Sequence, residues 1–266
     1  MMNPPTMRSM TNQDDWKQQL SRYRKSSLQV GQLSTQLVAQ PDAEGHDCLV
    51  VLLHGYGAPR EDLVGLAGPL LAECLQQGVR PAVAFPGGLL DLPDGGYGAA
   101  AWWPINMAAL MQAAQLNRFD EMRTVVPPGI DAAREAVVEA VALLLARYDL
   151  TAASLAFGGF SQGAMLAMDA ATRGLPEPPR CLLLASGACI CETQWRAAAA
   201  RLSGTVAVQS HGGFDPILPP QTGRFLYDIL KDTCESVELI EFDGGHQIPE
   251  EMIEASARVI AALAQT

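Results

Sequence analysis

The feature that most constrains this chain is the pentapeptide Gly159-Phe160-Ser161-Gln162-Gly163, which follows an apolar run over 154–160 and opens a helical pattern over 164–172. A strand that turns this sharply into a helix holds its apical residue in a strained backbone conformation, and only glycine fits two residues away on either side. The turn pushes the apical hydroxyl out of the sheet, which makes Ser161 the candidate nucleophile. Taken alone, the pentapeptide also reads as an ordinary glycine-rich turn whose serine caps the helix.

A serine hydroxyl is a weak nucleophile near neutral pH, so this chemistry needs an imidazole to take its proton and a carboxylate to orient the imidazole. On elbow-type sites the order along the chain is serine, acid, histidine. Of the four histidines, only His211 and His246 follow Ser161. His246 ends Glu241-Phe242-Asp243-Gly244-Gly245-His246, where an alternating strand pattern runs into two glycines, and a loop at the carboxyl end of a strand is where an open α/β sheet places its chemistry. His211 precedes Gly212-Gly213-Phe214-Asp215-Pro216. Asp215 falls between serine and base, so it is the candidate acid and His211 reads as a loop-shaping residue beside it. Asp243 is the rival acid, three residues before His246 on the same connection. A separate strand supplying Asp215 is the more rigid anchor.

The run 48–53 ends in His54-Gly55-Tyr56-Gly57-Ala58. Acyl transfer develops a negative oxygen, which a pair of preoriented backbone N–H groups stabilises well. One comes from the residue after the nucleophile, Gln162, and the other from a loop after an earlier strand. Tyr56, between two glycines that let the backbone approach a substrate, is the candidate for the second. His54 reads as a hydrogen-bonded structural ring.

Taken together, Leu53-His54-Gly55-Tyr56-Gly57, Gly159-Phe160-Ser161-Gln162-Gly163, His211-Gly212-Gly213-Phe214-Asp215-Pro216 with Pro219, and Gly245-His246 resemble the phospholipase/carboxylesterase family of α/β-hydrolases. That group includes acyl-protein thioesterases and small bacterial carboxylesterases. The resemblance implies an α/β-hydrolase fold, a triad of Ser161, Asp215 and His246, and oxyanion-hole amides at Tyr56 and Gln162. The family pattern commonly carries leucine where Tyr56 stands, which leaves the amide role intact and alters the pocket wall. Residues 91–101 and roughly thirty polar residues at the start lie outside the matching blocks.

The wider pattern agrees. Strand-like runs fall at 28–37, 49–53, 82–85, 154–160, 181–185, 205–208 and 237–242, with helical patterns at 62–75, 129–148, 164–172, 221–231 and 250–264. This alternation predicts an α/β domain over 28–266, with a mostly parallel central sheet and helices on both faces. Residues 1–27 read as a polar extension, partly disordered or forming a short helix that docks through Trp16, Leu20 and Tyr23. The alanines at 197–200 read as helix.

The net charge of −11 argues against a nucleic-acid partner or adsorption to anionic lipid. No apolar run approaches the ~20 residues of a membrane span, and none resembles a secretory signal. The six cysteines, two of them inside apolar strands, read as buried thiols of a reducing, cytoplasmic compartment. Cys189 and Cys191 lack the companions of a metal site, and no phosphate-binding loop is present, so neither metal nor cofactor is expected.

Tyr97, Trp102, Trp103, Ile105, Met107, Leu110 and Met111 cluster after a flexible stretch at 94–101. As a flap they would cover an apolar acyl group, with Tyr97, Trp102 and Trp103 binding substrate; in the resembling family the region near Trp102 borders the active site. The same residues would equally serve as core or as a homodimer contact. The expected function is hydrolysis of a small-molecule ester or thioester. A peptidase, an acyltransferase and a non-catalytic hydrolase-fold binding protein stand as alternatives.

Overall fold

The computed structural model describes residues 18, 20–41, 45–106, 108, 112, 116 and 118–263. Trp16, Met107, Leu110, Met111, Ala264 and nearly all of 1–19 lie outside them.

The strands are β1 (Arg24–Val30), β2 (Leu33–Ala39), β3 (Cys48–Leu53), β4 (Pro81–Pro86), the short β5 (Leu90–Asp91) and β6 (Ala100–Ala101), β7 (Leu155–Phe160), β8 (Cys181–Ala185), β9 (Val206–Gly212) and β10 (Ser236–Phe242). All but β5 and β6 form one sheet in the order β1-β2-β4-β3-β7-β8-β9-β10. From β4 to β10 every pairing is parallel. The β1–β2 and β2–β4 pairings are antiparallel.

The parallel part obeys the expected physics. Cys48–Leu53 is buried at every position, as a strand covered on both faces must be. Leu49, Val51 and Leu53 point into one core layer, and Cys48, Val50 and Leu52 into the other. Helices α3 (Ile130–Tyr148), α4 (Gln162–Arg173), α5 (Glu192–Ala198) and α6 (Pro220–Thr233) cover the first face; α1 (Ala67–Gln76) and α7 (Glu250–Leu263) cover the second. A one-turn helix, α2 (Phe119–Met122), precedes α3.

The start of the chain departs from the sequence-based expectation. The run 28–37 is not one strand: Val30 pairs with Leu33 across a tight hairpin, and Gly31 takes the left-handed φ of 55° that such a turn demands. β1 therefore begins at Arg24, inside the segment read as an extension, and residues 24–27 pair with 36–39. As a solvated edge strand, β1 leaves no hydrophobic signature in its first half. Leu20 and Tyr23 pack against the core beneath the sheet. The pattern at 62–75 also divides, into a 3-10 turn at Asp62–Leu66 and α1.

Helix α4 carries the elbow and is seated by a buried carboxylate. Asp169 is fully buried; it accepts hydrogen bonds from Arg134 of α3, Arg173 of its own helix and the Trp195 indole of α5. A buried carboxylate is tolerable only when its lone pairs are matched in this way, and the match fixes α4 against both neighbours.

Candidate active site

Ser161 stands where β7 ends and α4 begins, with φ 54° and ψ −115°. That conformation is strained for a residue with a side chain, and close packing enforces it. A Cβ at Gly159 would lie 2.4 Å from the Leu53 carbonyl oxygen, and one at Gly163 only 2.0 Å from the same atom. The Ser161 amide donates to the Ala185 carbonyl at 2.9 Å. Its hydroxyl makes no capping bond to α4.

The hydroxyl instead faces His246, with Oγ 2.9 Å from Nε2. On the other side of the ring, Nδ1 lies 2.6 Å from Asp215 Oδ2. A carboxylate only accepts, so the ring proton is assigned to Nδ1 and the Nε2 lone pair is directed at the serine. Asp215 Oδ1 accepts from the Ile217 and Leu218 amides, each at 2.9 Å. Burial pushes the Asp215 carboxyl up, but the His246 hydrogen bond and charge and those two amides outweigh it, and the group ends below the ordinary carboxylate value. The rival acid, Asp243, is exposed and makes no hydrogen bond or ion pair with His246 among the described residues.

His211 is buried four residues before Asp215. Its Nε2 donates to the Leu218 carbonyl at 2.7 Å, which ties down the loop whose amides hold Asp215. His54 is likewise structural in geometry. Its Nε2 accepts from the Gly88 amide and its Nδ1 donates to the Gly55 carbonyl, both at 2.8 Å. Burial lowers the His54 pKa, with Arg60 adding to that and the Gly55 bond opposing it.

Among the described residues, neither the Tyr56 nor the Gln162 amide donates to a protein acceptor, and both residues line the cavity that Ser161 and His246 face. The Gln162 side chain is spent on scaffolding: Oε1 accepts from the Trp102 amide at 3.0 Å and Nε2 donates to the Trp103 carbonyl at 2.8 Å.

The three aromatics read as substrate-binding separate in space. Trp103 lines the cavity. Trp102 is buried away from it, its indole donating to the His54 carbonyl at 2.9 Å, so it is a wedge behind the site rather than a wall of it. Tyr97 is fully exposed and outside the cavity. One tryptophan of the pair is thus turned into the core while its neighbour faces the cavity.

The cavity measures about 390 Å³ and is mostly apolar, with walls that include Ile105, Phe119, Met122, Val125, Met165, Ile190, Leu218 and Phe225. Apart from Ile105, the sequence reading named none of these, because a cavity wall and a core face share the same hydrophobic periodicity. Phe160, inside the elbow motif, stacks obliquely on His246 at 4.8 Å. Cys189 also lines the cavity; burial pushes its thiol up to about 12, which leaves it protonated and inert. Among the described residues, no group of three or more His, Cys, Asp or Glu is placed to hold a metal ion, and no helix is long and apolar enough to cross a membrane.

The fold is shared with solved enzymes. A carboxylesterase from Mesorhizobium loti superposes with a TM-score of 0.68 at 17% identity, covering 89% of this chain and 98% of its own. Acyl-protein thioesterase 2 of Zea mays gives 0.62 at 21% identity, covering 86% and 98%. The carboxylesterase of Bacillus cereus gives 0.61 at 15% identity, covering 87% and 95%. These are all α/β-hydrolase sheets. The family model for phospholipases and carboxylesterases matches residues 34–264. Spanning the sheet from β2 to β10, the elbow at Ser161 and the strand-end loops alike, that match makes the chain a member of the phospholipase/carboxylesterase family.

Proposed function

We propose that this protein is a serine hydrolase that cleaves carboxylic esters or thioesters carrying an apolar acyl group, through an acyl-enzyme. The observation that carries the reading is the pair of contacts on one ring, 2.9 Å from His246 Nε2 to Ser161 Oγ and 2.6 Å from Nδ1 to Asp215 Oδ2. His246 takes the Ser161 proton as Oγ attacks the carbonyl carbon. The carbonyl oxygen becomes an anion held by the Tyr56 and Gln162 amides, and Asp215 stabilises the imidazolium without taking its proton. His246 then gives its proton to the leaving alcohol or thiol. Water, deprotonated by the same ring, attacks the acyl-serine and releases the acid.

The cavity supports an apolar acyl group, because among the described residues no Asp, Glu, Lys or Arg lines it to pair with a charged substituent. The esterase and thioesterase neighbours favour an ester or thioester over an amide. Six free thiols, five of them buried, fit the reducing compartment expected from the sequence.

The test is hydrolysis of p-nitrophenyl esters by the wild type and by Ser161→Ala. The variant should lose kcat by a factor on the order of 10⁴ or more, and unchanged turnover would remove the assignment. A matched anilide tests the peptidase alternative: it should turn over far more slowly than the ester.

A further inference from the structure

The loop carrying His246 leaves the sheet after β10, and the ring reaches Ser161 across a separation of 85 residues. A 2.9 Å contact between two segments so far apart needs something to hold their spacing. One tether is evident upstream: the Phe214 amide donates to the Gly244 carbonyl at 2.9 Å. Downstream, the carbonyl of Gln247 is bound by the Ser186 hydroxyl at 3.0 Å. His246 is therefore suspended between two anchored carbonyls.

Ser186 has two properties that packing alone does not require. It is fully buried, and it holds a left-handed φ of 47°, where a side chain is disfavoured. Glycine would fill the position without strain, yet glycine has no hydroxyl. Its neighbour Ala185 supplies the carbonyl that receives the Ser161 amide at 2.9 Å, and Ser186 itself is pinned to the Ser210 carbonyl by its amide at 2.9 Å. One dipeptide at the end of β8 thus grips the nucleophile through its backbone and the base loop through its side chain.

We infer that Ser186 is a positioning residue that sets the distance between Ser161 and His246. This inference rests on the serine-hydrolase reading above. The strained backbone aims Oγ at the Gln247 carbonyl; without that bond the loop loses its downstream anchor and the ring drifts from the hydroxyl. A drift of this kind impairs attack more than substrate binding, because Ser186 itself does not line the acyl cavity.

Kinetics of Ser186→Ala and Ser186→Gly on a p-nitrophenyl ester, with thermal unfolding of each variant, test this. Both should lose about tenfold to a hundredfold in kcat while KM stays within about threefold. Stability should part company with activity: the glycine variant, relieved of backbone strain, should unfold at a higher temperature than the alanine variant. A kcat within about twofold of the wild type in the glycine variant, or one that recovers as stability recovers, overturns the inference. If the alanine variant does not fold, the glycine variant decides alone. Ser161→Ala in the same series separates the two failures. Turnover surviving that change retires the hydrolase reading, whereas Ser161-dependent turnover indifferent to Ser186 retires only the positioning role.

Discussion

Gly163 is pressed against the carbonyl of Leu53 so closely that a Cβ there would sit 2.0 Å from the oxygen. This contact joins the end of β3, which leads into the Tyr56 loop, to the first turn of α4, which follows Ser161. It is therefore both a packing contact and the spacing between Ser161 and the candidate oxyanion loop. Gly163→Ala should destabilise the protein by about 1–3 kcal/mol or more, because backbone rather than a flexible side chain must yield. Urea unfolding measures the loss. Ester turnover should fall further than the unfolded fraction explains, and a variant with wild-type stability would show that the elbow tolerates a side chain.

Asp215 links the site to acid stability. Its folded-state pKa lies below the ordinary 3.8, so the folded state binds its proton less readily than the unfolded chain does. Its contribution is then fully present above that ordinary value and lost as the pH falls through the lower folded-state value. Asp215→Asn removes this term. The urea-midpoint gap between wild type and variant should be widest at neutral pH and narrow on acidification. A gap that stays constant would mean that the carboxylate charge contributes no stability. At neutral pH the variant should also lose kcat by a factor on the order of 10⁴, since an amide no longer enforces the productive tautomer of His246.

The cavity proposed to take the acyl group should respond to its own walls. Ile190 is nearly buried and lines the cavity, so Ile190→Phe fills space that a long acyl chain would use. The ratio of kcat/KM for octanoyl over butyryl p-nitrophenyl esters should fall about tenfold, the range that one or two methylenes command in an apolar pocket. An equal decline for both esters would place the acyl chain elsewhere.

How much of this was legible beforehand differs from residue to residue. Ser161, Asp215 and His246 stood out because turn chemistry is local: glycines at fixed offsets, a loop after an apolar run and an order along the chain need no tertiary knowledge. The hairpin at Gly31 was missed because apolar residues continue on both sides of it, and the pattern does not register one left-handed residue. Trp102 and Trp103 looked equivalent for the same reason, although one braces His54 and the other faces the cavity. Ser186 carried no signal at all, since its role lies in a bond to residue 247.

The amino-acid order by itself determined the alternation of strand and helix, which interactions among residues a few positions apart set, and it marked the glycine-flanked turn at Ser161, whose strain packing against Leu53 enforces. Only the tertiary structure decided which wall each aromatic joins, how the cavity beside Ser161 is enclosed and what holds His246 at its distance. Those contacts span tens of residues, so they depend on sheet register and packing, which no short window of the chain contains.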